Sequence, residues 1–145
     1  MSTNSTRTAK MQYLNNPQED LIQLVNQGGV VAFGINSTGG FQVVPQPITA
    51  SGVVSPFNAN TYVITSVGIA ALTLAAPIAT VDDGNEIVIF SATNYAHTLT
   101  ATGLLGTGTA SVNKATFAAF AGASITLMAY QGKWLVLASV GVTFS

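Results

Sequence analysis

Beyond Gly29 the chain reads as short apolar-rich runs, each broken by Gly, Pro, Asn or Asp. Runs of this length, rich in Val, Ile, Thr, Tyr and Phe and bounded by turn formers, predict β-strands. They fall at residues 30–35 (VVAFGI), 41–44, 61–65 (TYVIT) and 69–75, the last with Leu72 and Leu74 on one face. Residues 86–91 (EIVIFS) set Ile87 and Ile89 against Val88 and Phe90, so both faces are apolar, as in a strand covered on both sides. Further strands are expected at 97–102, 116–120, 124–130 (SITLMAY), 133–138 (KWLVLA) and 142–144. Gln131-Gly132 is a two-residue link between two of these runs, with Gly where a tight hairpin needs positive φ. Asp82-Asp83-Gly84-Asn85 is a second turn signal.

One segment has helical punctuation. Asn16 suits an N-cap, Pro17 the first helical position and Glu19 the third. Leu21, Ile22, Leu24 and Val25 form a broad apolar stripe, and Gly28 and Gly29 end it. A short helix is therefore expected over 17–26, after a polar, aperiodic arm at 1–11. Together these elements predict an all-β fold, an antiparallel sandwich or jelly-roll-like arrangement with a polar N-terminal arm and one short N-terminal helix. The expected divisions are 1–27 (arm and helix), 28–59 (a β segment and a linker holding Pro45, Pro47 and Pro56) and 60–145 (the main β domain). No repeat of fixed period is visible, which gives no support to a solenoid or collagen stem.

Composition changes this picture in one respect. The 145 residues include four Lys+Arg and five Asp+Glu, 6% of the chain, against about 25% in an average soluble domain. Residues 21–81 carry no charge at all. A net charge of −1 leaves no basic footprint for nucleic acid or an anionic membrane. Residues 1–10 lack the apolar segment of a secretory signal. The longest apolar stretch, 67–79, is interrupted by Thr73 and Pro77 and is too short for a membrane-spanning helix. A lone monomer so poor in charge would be poorly soluble unless neutral polar groups cover it. The sharper expectation is that much of its surface lies against copies of itself or a large partner.

Candidate chemistry is sparse. Asp82, Asp83 and Glu86 offer oxygen ligands for a hard cation, but without the spacing of a calcium loop. A polar turn is the plainer reading, and two adjacent Asp on a turn rarely face one sugar for glycoside hydrolysis. His97, the sole histidine, opens a Thr-rich strand and is expected at a surface or interface. GLLGTG at 103–108 lacks the Lys and Ser/Thr of a phosphate loop and is expected to be a plain loop. Trp134, with Tyr130 and Phe120, has the chemistry to stack on sugars, yet a Trp just after a tight hairpin reads first as a core anchor. No cofactor and no catalytic residue is expected.

The runs NTYVIT (60–65), ALTLAAP (71–77), DDGNEIVIFS (82–91), AHTLTA (96–101) and ASITLMAYQGKWLVLAS (123–139) carry a resemblance. This part of the chain, 60–145, resembles the β-rich modules of tailed-bacteriophage virion proteins, especially capsid decoration (cement) proteins and head- or tail-fibre proteins. The resemblance implies a non-enzymatic, homotrimeric structural protein on the capsid exterior, with the phage major capsid protein as partner. A decoration protein stabilises a shell by binding the assembled lattice better than free subunits. Residues 1–27 would then hold the capsid-gripping groups, with Arg7, Lys10, Tyr13, Leu14, Leu21 and Ile22 as candidates. The alternative is a fibre module that binds a host receptor or glycan. The lack of a repetitive shaft favours decoration.

Overall fold

The computed structural model describes residues 22–25, 31–35, 39–56, 59–108 and 110–145. The described residues are all-β, with no helix. The chain divides into two compact units, Met1–Val44 and Pro45–Ser145.

The first unit contains β1 (Ile22–Val25), β2 (Val31–Ile35) and β3 (Phe41–Val43) in an antiparallel sheet of order β1-β2-β3. Strand β1 corrects one expectation, because the helix expected over 17–26 is strand wherever it is described. Ile22 pairs with Ile35 and Leu24 with Phe33. An isolated helix of ten residues is marginal in water, so a partner strand that satisfies the same backbone groups outweighs local capping signals. Gly28-Gly29 was an ambiguous marker, since such a pair suits a hairpin as well as a helix end. Residues 17–21 and 26 lie outside the described residues.

The second unit contains β4 (Gln46–Ile48), β5 (Gly52–Val54), β6 (Thr61–Ile64), β7 (Ala71–Leu74) and β8 (Glu86–Ser91). The long β9 (Thr98–Thr107) and β10 (Ala110–Phe117) follow, then β11 (Ser124–Tyr130), β12 (Lys133–Val140) and β13 (Val142–Phe144). The expected strands at 86–91, 124–130 and 142–144 keep their bounds. The stretch expected as a linker holds β4 and β5. GLLGTG is not a plain loop, since residues 103–107 complete β9 and Leu105 is fully buried.

The sheet is mixed, not antiparallel throughout. From β4 to β9 the chain winds back and forth between two arms. β4, β6 and β8 lie side by side and parallel in one arm, while β5, β7 and β9 do the same in the other. Gln46, Tyr62 and Ile89 are stacked in register, and so are Gly52, Leu72 and Leu99. The chain lengths between stacked partners are unequal, so these coils leave no fixed period in the sequence. The last strands close the coils antiparallel, with β11 and β12 extending the first arm and β10 and β13 the second.

The arms join at a corner in β9. Its first residues, Thr98–Thr100, pair with β7, whereas Leu105 and Gly106 pair with Trp134 and Leu135 of β12. The register with β10 shifts between Val112 and Lys114, where Asn113 Oδ1 accepts the Gly103 N–H at 2.6 Å. A bulge of this kind bends a strand and sharpens its twist.

Alternate residues of both arms enter one core. Ile64, Ile89, Ile125 and Leu127 come from the first arm, and Leu72, Leu99 and Phe117 from the second. Trp134 is the largest buried side chain, 0% exposed, and its Nε1–H donates to the Ala75 carbonyl at 2.9 Å. It is therefore a core anchor and has no free face for a sugar. Tyr130 and Phe120 remain exposed.

Candidate functional site

The acidic cluster lies between β7 and β8, against the β11–β12 hairpin. Asp82 is buried, and its Oδ2 accepts the Ile78 N–H at 2.6 Å, closing a turn over residues 78–82. Asp83 faces the hairpin tip, where its Oδ1 accepts the Gln131 N–H at 2.7 Å and its Oδ2 accepts the Gln131 Nε2–H at 2.9 Å. Gly84 N–H donates to the Ala129 carbonyl, and Ala129 N–H to the Asn85 carbonyl. Glu86 stands exposed at the start of β8, in register with Met128. Two of the three carboxylates thus act as acceptors for backbone N–H groups. Among the described residues no group of three His, Asp or Glu is placed to hold a metal ion.

The Asp83 contacts also account for Gln131. This residue has φ of 49° and Gly132 has φ of 74°, the pair of positive angles that a two-residue type I′ hairpin requires. Gln is a poor choice for that conformation, and its two hydrogen bonds to Asp83 offset the cost.

His97 departs from expectation, since it is 0% exposed. Its Nδ1 accepts the Ala70 N–H at 3.1 Å, and its Nε2 lies 2.8 Å from Thr93 Oγ1. An acceptor Nδ1 fixes the neutral tautomer with the proton on Nε2, which donates to Thr93. Ser91 Oγ donates to the Thr93 carbonyl at 2.8 Å and accepts the Thr93 N–H at 3.2 Å. The Tyr95 ring meets the imidazole edge-on at a centroid distance of 6.3 Å. Burial pushes the His97 pKa below its ordinary 6.5. The network ties the start of β7 to the crossover from β8 to β9. A catalytic imidazole is oriented by a carboxylate at one nitrogen and faces a nucleophile at the other. Here a backbone N–H occupies the first nitrogen and a Thr hydroxyl the second.

A signal for this burial was present in the sequence. Leu99 and Ala101 point inward from β9, and His97 shares their parity. Thr-rich composition suggested a surface, whereas strand alternation gave the direction.

Of the capsid-binding candidates, Arg7, Lys10, Tyr13, Leu14 and Leu21 lie outside the described residues. Ile22 opens β1. At the β4 and β5 end of the coils there is a half-open cleft of about 370 Å³, bordered by residues 46–55, Tyr62 and Leu72. The Tyr62 hydroxyl donates to the Ser55 carbonyl there, and burial raises the pKa of the phenol. No protein-family model matches the chain, and no curated protein matches it.

Proposed function

We propose that the chain is a non-enzymatic structural protein of a tailed-phage virion, a homotrimeric capsid decoration protein on the outer shell that binds the major capsid protein. The observation that carries this reading is the near-absence of ionised groups on a chain that also leaves Val53, Val67, Ile69 and Val81 exposed. Such a surface suits burial against neighbours, and decoration of a lattice provides them. We read the two arms of the curled sheet as the layers of a sandwich, with residues 1–27 as the gripping segment. The test is light scattering of the purified protein followed by cosedimentation with mature capsids. A trimer that sediments with capsids is expected, with binding weakened when residues 1–27 are deleted. A monomer without capsid affinity overturns the reading.

The cleft at the β4 and β5 end favours a second reading, a fibre module that takes a host glycan. Its neutral polar border, including Gln46, Thr49 and Ser51, has the hydrogen-bonding chemistry of a sugar site. Host-cell binding that Gln46→Ala abolishes would support this reading over decoration.

A further inference from the structure

The curled sheet has two outer faces, and they differ in chemistry. On the arm of β5, β7, β9, β10 and β13, register places Thr73 beside Thr100, and Thr100 beside Lys114. A second row runs through Thr98, Thr116 and Thr143. This face is a threonine ladder with a lysine in it and the exposed Val53 beside Thr73 at its edge. Cross-strand Thr pairs suit a sheet surface that meets water.

The opposite arm, β4, β6, β8, β11 and β12, does the reverse. Across its outer face, Pro47, Val63, Phe90, Ser124 and Val140 lie in one row. Thr61, Val88, Thr126 and Ala138 lie in the next, then Met128 and Leu135, with Glu86 at the margin. Val63, Val88, Phe90, Met128 and Leu135 are half-buried, and Val140 is 56% exposed. None of these residues belongs to the core or to the partly buried groups packed against it, because they point the other way. Thr thus dominates one side, with Val53 at its margin, and Val, Phe, Met and Leu dominate the other, with Thr61, Ser124 and Thr126 among them.

We propose that this apolar face is where copies of the chain meet, each presenting the same surface to its neighbours. The inference rests on the reading of the protein as an assembling component and names the surface that reading lacks. Charge selects the occupant. Rotational symmetry sets like against like near the axis, so a self-contact tolerates no ion at its centre. The only ionised group in these rows is Glu86, at the edge. Size is consistent with this. Rows five, four and three strands wide, with strands about 4.8 Å apart, cover roughly 400 Å². That is the apolar centre of an interface in which each partner gives about 800 Å², the rim being polar.

The experiment uses the full chain. Light scattering of the wild type should give a multiple of the 14.8 kDa monomer mass. Phe90→Lys and Val63→Lys should give monomers that keep the β circular-dichroism spectrum, while Thr73→Lys on the other face leaves assembly intact. The sequence has no Cys, so Met128→Cys supplies a unique thiol. Each thiol takes one maleimide, so a short bismaleimide should join Met128→Cys chains in pairs as a denaturant-stable dimer but leave Thr73→Cys single. This second readout decides the matter even if the lysine variants do not fold. A wild-type monomer, an assembly indifferent to Phe90→Lys, or an unlinked Met128→Cys overturns the proposal. Capsid binding by a monomer, lost in Phe90→Lys, overturns the self-contact and leaves the virion reading standing. Assembly through this face without capsid affinity does the opposite.

Discussion

The Nδ1 atom of His97 can accept the Ala70 N–H only while it carries no proton. Protonation sets two donors against each other at a fully buried ring, beside Thr93 and the Tyr95 ring, neither of which supplies a compensating charge. The sign of the pH dependence follows from the lowered folded-state pKa. Above the ordinary value of 6.5 neither state binds the proton, and stability is full. As pH falls through 6.5, the unfolded chain takes up a proton that the folded chain refuses, and stability is lost. The loss reaches at most tenfold in the folding constant per pH unit. Denaturant melts at pH 7.5 and 5.5 should show it, and His97→Gln should flatten it. The ring is the only imidazole in the chain, so its ¹⁵N shifts report the tautomer without assignment ambiguity. A ring protonated on Nδ1 at neutral pH would contradict the hydrogen bond to Ala70.

At the scale of elements, the bend from β12 to β13 depends on a single small residue. Gly141 has φ of 59°, and a Cβ there would strike the Phe120 ring and lie 3.5 Å from the Ala118 Cβ. Gly141→Ala should therefore destabilise the fold by about 2 kcal/mol, from the left-handed backbone and the displaced ring together, as measured by urea unfolding. A change below about 0.5 kcal/mol would mean that the bend relaxes. Elements with strong local grammar were legible in the sequence. EIVIFS holds an unbroken β-branched and aromatic run, SITLMAY sets Ile125, Leu127 and Ala129 on one face, and Gln131-Gly132 marks its own hairpin. Elements set by distant partners were not. β4 and β5 are three residues each, contain or adjoin Pro and Gly, and exist as strands because β6 and β7 pair with them. GLLGTG has loop composition, yet β12 and β10 hold it on both sides. The apolar stripe at 21–25 had one period too few to separate a helix from a strand. The carboxylates read as turn formers from the start, whereas the partners of His97 lie on segments that no local pattern brings together.

For the molecule as a whole, coils stacked by register make stability graded along the stack. The central strands β8 and β11 have a paired neighbour on each side, while β4 ends the first arm and β5 the second. Amide exchange should therefore be slowest at Ile87, Ile89, Ile125 and Leu127 and faster toward β4 and β5, with protection differing by at least tenfold. Equal protection across all coils would indicate a single cooperative block.

The burial of Trp134 has a practical outcome. It is the sole indole in the sequence and sits in the Pro45–Ser145 unit, so tryptophan emission reports that unit alone. Met1–Val44 is silent at this wavelength. Fluorescence and far-ultraviolet circular dichroism followed in one melt would thus separate the two units optically, without cutting the chain or adding a label.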